Sequence, residues 1–181
     1  MLRLFIAIDP PESVRLRLAT LCNGVPGARW LKPEQFHLTL RFIGDVDDDA
    51  FADIADGLSE VHADPFSLRL GGVGHFPPRG APKVLWAGVE DGAPVARLHD
   101  NIEARLKHVG LKPDARKFAP HLTLARLKNA PLGKVRDYLA QHALFASESF
   151  AITEFHLYSS RLGSAGAVHR IEASYELAAA P

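Results

Sequence analysis

The sequence predicts a mixed α/β or α+β fold, and three observations predict it. Short apolar runs rich in strand formers are interleaved with helix-length amphipathic stretches along the whole chain. Glycine- and proline-bearing breaks separate them, with no long linker and no low-complexity segment. The segment Phe36-His37-Leu38-Thr39-Leu40 returns as Pro120-His121-Leu122-Thr123-Leu124, each copy on an expected strand, which suggests two similar lobes. With 181 residues, 47% of them hydrophobic, the chain can bury a core in one compact domain or in two small lobes packed together.

The elements follow in order. Leu4 to Ile8 reads as a buried strand inside a sheet. Pro10-Pro11-Glu12 opens a helix, because proline is tolerated in a first turn, and Val14, Leu16, Leu18, Leu21 and Cys22 supply its apolar spacing until Gly24 and Pro26-Gly27 stop it. Phe36 to Ile43 alternates as a strand that Gly44 ends. The acidic run Asp45 to Asp49 then suits a helix start, where carboxylates meet the positive end of the dipole, and Phe51, Ile54, Ala55 and Leu58 form its stripe. Phe66 to Val73 and Val84 to Val89 are expected strands joined by the loop Gly74 to Pro82. Val95, Leu98, Ile102, Leu106 and Val109 mark a helix that Gly110 closes. His121 to Leu127 is a strand, Val135 to Leu139 lies in a short helix, and Phe150 to Tyr158 and Val168 to Leu177 are terminal strands around a turn at Arg161 to Gly166. The tail Ala178 to Pro181 is expected to fray.

Composition narrows the function. The formal net charge is zero, which argues against a protein that coats long nucleic acid and favours a ligand with few phosphates or the end of a strand. The charge is uneven: residues 1–90 carry −3 and residues 91–181 carry +3. Arg105, Lys107, Lys112, Arg116, Lys117, Arg126 and Lys128, opposed only by Asp114, form either a phosphate-attracting rim or an ordinary solvated surface. The single cysteine, Cys22, permits no intrachain disulfide and no cysteine-based zinc site. The short apolar start breaks at Asp9-Pro10-Pro11, unlike a signal peptide, and no run reaches the ~20 apolar residues of a membrane helix. A cytoplasmic protein with no membrane contact is the expectation.

The repeat carries the chemistry. Strand alternation puts His37 and Thr39 on one face and Leu38 and Leu40 on the other, and His121 and Thr123 repeat the arrangement. If a pseudo-two-fold relates the lobes, two imidazole–hydroxyl pairs meet across a shared groove. Imidazole titrates near neutrality, so one ring can serve as base and the other as acid. Threonine hydroxyls and an arginine can hold the oxygens of a phosphorus undergoing in-line displacement without a metal. Arg41 shares parity with His37 and Thr39 and is one candidate for that arginine.

These residues resemble a known family. Arg3-Leu4-Phe5-Ile6-Ala7-Ile8, Trp30 with Phe36 to Gly44, Phe76-Pro77 with Val84-Leu85-Trp86, Phe118 to Arg126, and Leu157 to Leu162 are similar to the successive blocks of the RNA 2',3'-cyclic phosphodiesterases, also described as 2'-5' RNA ligases, of the two-histidine phosphoesterase superfamily. The resemblance spans nearly the whole chain. It implies a single α+β domain over residues 1–181, with two pseudo-symmetric lobes of antiparallel-rich sheet, outer helices and a central groove, one motif per lobe. It implies His37 as proton donor, His121 as proton acceptor, a 2'-phosphomonoester product and no cofactor or metal. Arg126 matches the family's phosphate-binding arginine, although strict alternation puts it opposite His121, so a bulge or a curling side chain is required.

Trp30, Phe36, Phe76, Phe118 and Tyr158 are candidates either for stacking a nucleobase or for core packing, with Phe36, Phe76 and Tyr158 the foremost. His62, His75, His99, His108, His142, His156 and His169 show no metal spacing and read as ordinary residues, His75 being the closest to a groove role. The leading expectation is metal-independent opening of 2',3'-cyclic phosphate ends on RNA or oligonucleotides by a monomer without an obligate protein partner. The reverse 2'-5' ligation uses the same groove. The rivals are a phosphodiesterase of small cyclic nucleotides or 2'-5' oligonucleotides, a non-catalytic RNA-end binding protein, and a metal-dependent hydrolase.

Overall fold

The apolar runs form ten strands and four helices in the computed structural model, which describes residues 1–163 and 166–179. The first strand, β1 (Leu2–Ile8), turns Leu4, Ile6 and Ile8 into the core and Phe5 and Ala7 to its other face, the alternation a two-sided strand requires. It lies between β3 (Leu38–Val46) and β9 (Glu154–Gly163), and β10 (Gly166–Glu176) completes an antiparallel sheet ordered β10-β9-β1-β3. A second antiparallel sheet contains β2 (Ala28–Trp30), β5 (Leu70–Phe76), β6 (Val84–Val89) and β7 (His121–Leu127), ordered β2-β7-β6-β5. The short strands β4 (Phe66–Leu68) and β8 (Phe150–Ile152) pair separately.

The helices are α1 (Glu12–Ala19), α2 (Asp48–Ser59), α3 (Ala93–His108) and α4 (Leu132–Gln141). Val14 and Leu18, Ile54 and Leu58, the four residues Val95, Leu98, Ile102 and Leu106, and Val135 and Tyr138 are their buried stripes. These join the core faces of both large sheets in one continuous cluster. Among the described residues no helix is long and apolar enough to cross a membrane.

Each motif falls in a different sheet, and β3 and β7 lie against each other. The sheets are not the two halves of the chain. The last strands, β9 and β10, return to the sheet that β1 began, which is why the halves of the sequence do not align outside the motifs.

Several element boundaries differ from expectation for local reasons. Leu16 is 57% exposed, because α1 ends at Ala19 and packs only through Val14 and Leu18. Gly44 does not end β3: it adopts φ +97° beside a bulge, and the strand runs on to Val46. Asp45 therefore belongs to the strand, where it pairs with Arg3 at 3.2 Å, and Asp47 caps α2 by accepting from the Ala50 N–H. Gly74, His75 and Phe76 extend β5 rather than opening a loop. The expected strands at 66–73 and 150–158 each break, at Arg69 and Thr153, so that their first pieces can pair as β4 and β8. Strand β2 spans three residues, too short to show a period in the sequence. In the tail, the Ala178 carbonyl accepts from the Ala63 N–H rather than fraying, while residues 180 and 181 lie outside the described region, as do 164 and 165 of the expected turn at Arg161 to Gly166.

Candidate active site

Two identical local designs hold the motif histidines. His37 sits one residue before β3, and its Nδ1 donates to the Gln35 carbonyl at 2.8 Å. His121 opens β7, and its Nδ1 donates to the Ala119 carbonyl at 2.7 Å. A carbonyl can only accept, so each Nδ1 carries the hydrogen and each Nε2 is left as the nitrogen that takes or gives a proton. Both rings rest on aromatic neighbours. His37 stacks on Phe5 at 4.9 Å and lies 6.1 Å from Tyr158, whereas His121 meets the Phe76 ring edge-on at 4.8 Å and Trp86 at 6.4 Å.

The same bulge recurs in both motifs. In β3, Ala7 faces Thr39 and Ile6 faces Arg41, so Leu40 is the extra residue. In β7, Trp86 faces Thr123 and Leu85 faces Ala125, so Leu124 is the extra residue. Each bulge lies three positions after its histidine. It places two consecutive side chains in the core, Leu40 with Arg41 and Leu124 with Ala125, and reverses the alternation beyond them. Arg126 thereby joins the face of His121 and Thr123 and is exposed, which resolves its apparent wrong parity.

The bulge moves Arg41 the other way. Expected to share the face of His37 and Thr39, it is turned inward and only 8% exposed. Its guanidinium donates to the Lys112 carbonyl, and contacts Glu103 at 3.2 Å and Asp114 at 3.8 Å. Arg41 is thus committed to α3 and to the loop that leads into His121. Asp114 in turn binds Arg116, whose hydrogen bonds hold the carboxyl down at about 2. Arg105 of the basic run is likewise paired, with Glu60 at 2.7 Å.

The stacking candidates also separate. Phe36 is 1% exposed and packs wholly in the core, because it precedes β3 on the leucine side. Phe76 faces His121 and Trp86. Tyr158 is 9% exposed, stacks on Phe5 at 5.0 Å and donates its hydroxyl to Asp9. Trp30 packs on Tyr138, and Phe118 stacks on His99 at 4.0 Å.

Three further side chains border the motif histidines, although the sequence assigns none of them a role there. His169 of β10 is edge-on to both Phe5, at 5.0 Å, and His37, at 5.3 Å. Asp9 gathers the Tyr158 hydroxyl, Arg15 at 3.5 Å and His156 at 3.8 Å, and its charge reaches His37. Trp86 lies flat on Gly74, where an added Cβ would fall 2.2 Å from the indole. No local signal marks His169, since its contact with His37 reaches across the sheet from β10 toward β3.

Burial favours the neutral form of both motif rings. Burial is the main cause that pushes His37 down to about 4, reinforced by His169 and opposed by the Gln35 hydrogen bond and the Asp9 carboxylate. Burial also lowers His121 and His169. Among the described residues no three His, Cys, Asp or Glu side chains converge as a metal-holding group.

Two antiparallel sheets, each presenting a half-buried His-x-Thr pair ahead of the same bulge, define an α+β fold built around a duplicated histidine motif. The chain belongs to the 2'-5' RNA ligase superfamily, whose sequence pattern matches residues 10–163. It is 34% identical over 175 residues to the RNA 2',3'-cyclic phosphodiesterase of Archaeoglobus fulgidus, covering 93% of this chain and 97% of that one. It is 32% identical over 176 residues to the RNA 2',3'-cyclic phosphodiesterase of Thermotoga maritima, covering 94% and 92%. A crystal structure from Thermus thermophilus superposes with a TM-score of 0.80 at 28% identity, over 98% of both chains. The fold is shared with E. coli LigT, at a TM-score of 0.78 and 23% identity over 97% of this chain and 98% of that one.

Proposed function

We propose that the protein is an RNA 2',3'-cyclic phosphodiesterase that opens the cyclic end to a 2'-phosphomonoester, with His37 as acid and His121 as base. The observation that carries this reading is the matched tautomer: in both motifs a carbonyl two residues upstream fixes the Nδ1 hydrogen and leaves Nε2 for proton transfer. The relatives named as phosphodiesterases, which align over nearly all of the chain, point to the same substrate.

In this reading His121 Nε2 takes a proton from water as its oxygen attacks phosphorus. The bond from phosphorus to the ribose 3'-oxygen breaks, and His37 Nε2–H gives that oxygen its proton. Thr39, Thr123 and Arg126 hold the phosphoryl oxygens as negative charge grows on them. The cycle closes when solvent returns a proton to His37 and removes one from His121. Because burial keeps His37 neutral in the free protein, the anionic phosphodiester is what favours its imidazolium form and loads the acid. With an RNA 5'-hydroxyl in place of water, the same displacement breaks the bond from phosphorus to the 3'-oxygen and makes a 2'-5' linkage. One bilobal domain with one motif per lobe is the unit of this activity.

The test uses an RNA oligomer ending in a 2',3'-cyclic phosphate, incubated in EDTA with the wild type, His37→Ala and His121→Ala. The expected result is a 2'-phosphate product from the wild type and a kcat at least about a hundredfold lower in each folded variant, the usual contribution of a general acid or base. Full activity in either variant, or wild-type turnover that EDTA abolishes, overturns the proposal. Binding of the RNA end without any opening by the wild type points instead to a non-catalytic end-binding protein.

A further inference from the structure

The row of side chains that crosses the second sheet at Arg126 does not end with it. Phe76, Val84, Arg126 and Arg29 are register neighbours on β5, β6, β7 and β2. The histidine face therefore runs from the ring beside His121 to two arginines at the sheet edge. Strand β2 fixes which way Arg29 points. Its flanking residues Ala28 and Trp30 pack against the core, with Trp30 on Tyr138, so the residue between them takes the opposite face. Hydrogen bonds clamp the strand from both ends: the Lys128 N–H donates to the Gly27 carbonyl at 3.2 Å, and the Leu31 N–H donates to the Leu124 carbonyl at 2.9 Å. Arg29 is exposed, like Arg126.

This pair runs against ordinary sheet chemistry, because like charges directly opposite on neighbouring strands destabilise a sheet. Arg41 and Arg105 each have carboxylate partners, whereas among the described residues Arg29 and Arg126 meet none. A charge on an edge strand deters pairing with another chain, but either sign serves that purpose, and an acidic residue at position 29 would have stabilised Arg126 instead of opposing it. Two guanidinium groups held side by side without carboxylates suit two negative charges at a matching spacing. Directly opposite residues have Cβ atoms about 4.5–5.5 Å apart, and these side chains reach further. Consecutive phosphates of one strand follow each other at a spacing of that order.

We propose that Arg29 binds the phosphodiester that precedes the terminal nucleotide, beside Arg126 on the reacting phosphate. The assignment rests on the phosphodiesterase reading above and adds its substrate class: oligonucleotide ends rather than lone cyclic nucleotides. A strand closed by a 2',3'-cyclic phosphate continues only on its 5' side. The phosphate within reach of a cation next to Arg126 is therefore the diester on the 5'-oxygen of the same ribose. Two cations on the last two phosphates also reconcile a chain of zero net charge with an RNA ligand, since only the end is held. The contact reads no base, so it favours length over sequence.

The test compares wild type with Arg29→Met, which keeps most of the length but not the charge, and with Arg29→Lys. Substrates are adenosine 2',3'-cyclic phosphate, the adenylyl dinucleotide with the same cyclic end, and that dinucleotide with an uncharged methylphosphonate linkage. The expected result in Arg29→Met is a KM about five- to tenfold higher for the charged dinucleotide, the scale of one charge-assisted contact open to solvent. The rise is at least about threefold smaller for the other two substrates, kcat changes less than KM, and Arg29→Lys recovers part of the loss. The slope of log KM against log salt concentration for the charged dinucleotide becomes shallower by about 0.7 in Arg29→Met, the release expected from one phosphate contact on a single strand. Equal KM changes for all three substrates, or none for any, overturn the assignment. A second readout does not depend on turnover: by calorimetry, wild type binds the dinucleotide ending in a 3'-phosphate more tightly than adenosine 3'-phosphate, and Arg29→Met narrows that margin. If the wild type opens no cyclic end yet Arg29→Met narrows the margin, the phosphodiesterase reading fails and the Arg29 contact stands. If turnover is normal and the margin is absent or survives undiminished in Arg29→Met, the contact fails alone.

Discussion

Replacing Arg41 by Met separates a structural arginine from a phosphate-binding one. In the structure the guanidinium is 8% exposed, donates to the Lys112 carbonyl and lies against Glu103 and Asp114. Its Nε and Nη1 face the two carboxylates without hydrogen-bond geometry, so these are charge contacts. Methionine fills much of the volume but removes one charge-assisted hydrogen bond, worth about 1.5–3 kcal/mol. It also strands the buried Glu103 Oε1 beside an apolar side chain. Losing one partner of a fully buried pair costs about 3–5 kcal/mol. Side-chain exposures of 19% for Glu103 and 26% for Asp114 let water relieve part of that. The expected loss is about 3 kcal/mol, or roughly 9 °C in Tm at the ~2–4 °C per kcal/mol typical of this chain length. Thermal and urea unfolding followed by circular dichroism read it directly. Adding Glu103→Gln, which removes the stranded charge, recovers part of the loss. Arg126→Met, on the exposed histidine face, changes stability by less than about 0.5 kcal/mol and lowers kcat/KM by about 10–100-fold. If Arg41→Met unfolds like wild type while its kcat/KM collapses, the inward placement by the bulge is refuted.

Two further outcomes follow from the histidine surroundings. His37 stands at about 4 in the folded protein against 6.5 in the unfolded chain, so between those values the unfolded chain binds a proton that the folded one refuses. Stability from this group is complete above pH 6.5 and falls as the pH drops toward 4, by about 2–3 kcal/mol at pH 4.5. His37→Gln should shrink the difference in urea midpoint between pH 7 and 4.5, and an undiminished difference would sink the argument. Gly74→Ala places a methyl 2.2 Å from the Trp86 ring, which borders His121. Overpacking of that kind costs about 1–3 kcal/mol, and displacement of Trp86 should lower kcat on the cyclic end. A variant matching wild type in both unfolding midpoint and kcat would show that the indole moves freely.

Much of this protein is legible without its tertiary structure. The alternation in Leu4 to Ile8, the stripes of Val95 to Leu106 and the strand at His121 to Leu127 arise from local periodicity, and each element forms where that periodicity places it. The paired His-Leu-Thr-Leu motifs stand out because a strand needs leucine on one face whatever it presents on the other. Periodicity assumes an unbroken strand, however, and the bulges at Leu40 and Leu124 break it. One inserted residue reverses the faces that follow it, which turned Arg41 into the core, put Arg126 on the face of His121 and exposed Phe42. The contact between His37 and His169 depends on β9 and β10 returning to the first sheet, a pairing over more than a hundred residues that no local pattern encodes. The sequence by itself determined which reactive side chains the motifs offer, through residue types whose protonation and hydrogen-bonding properties are their own. The tertiary structure decided which of those residues face the histidines and how strongly burial shifts them, because facing and desolvation exist only once distant strands have paired.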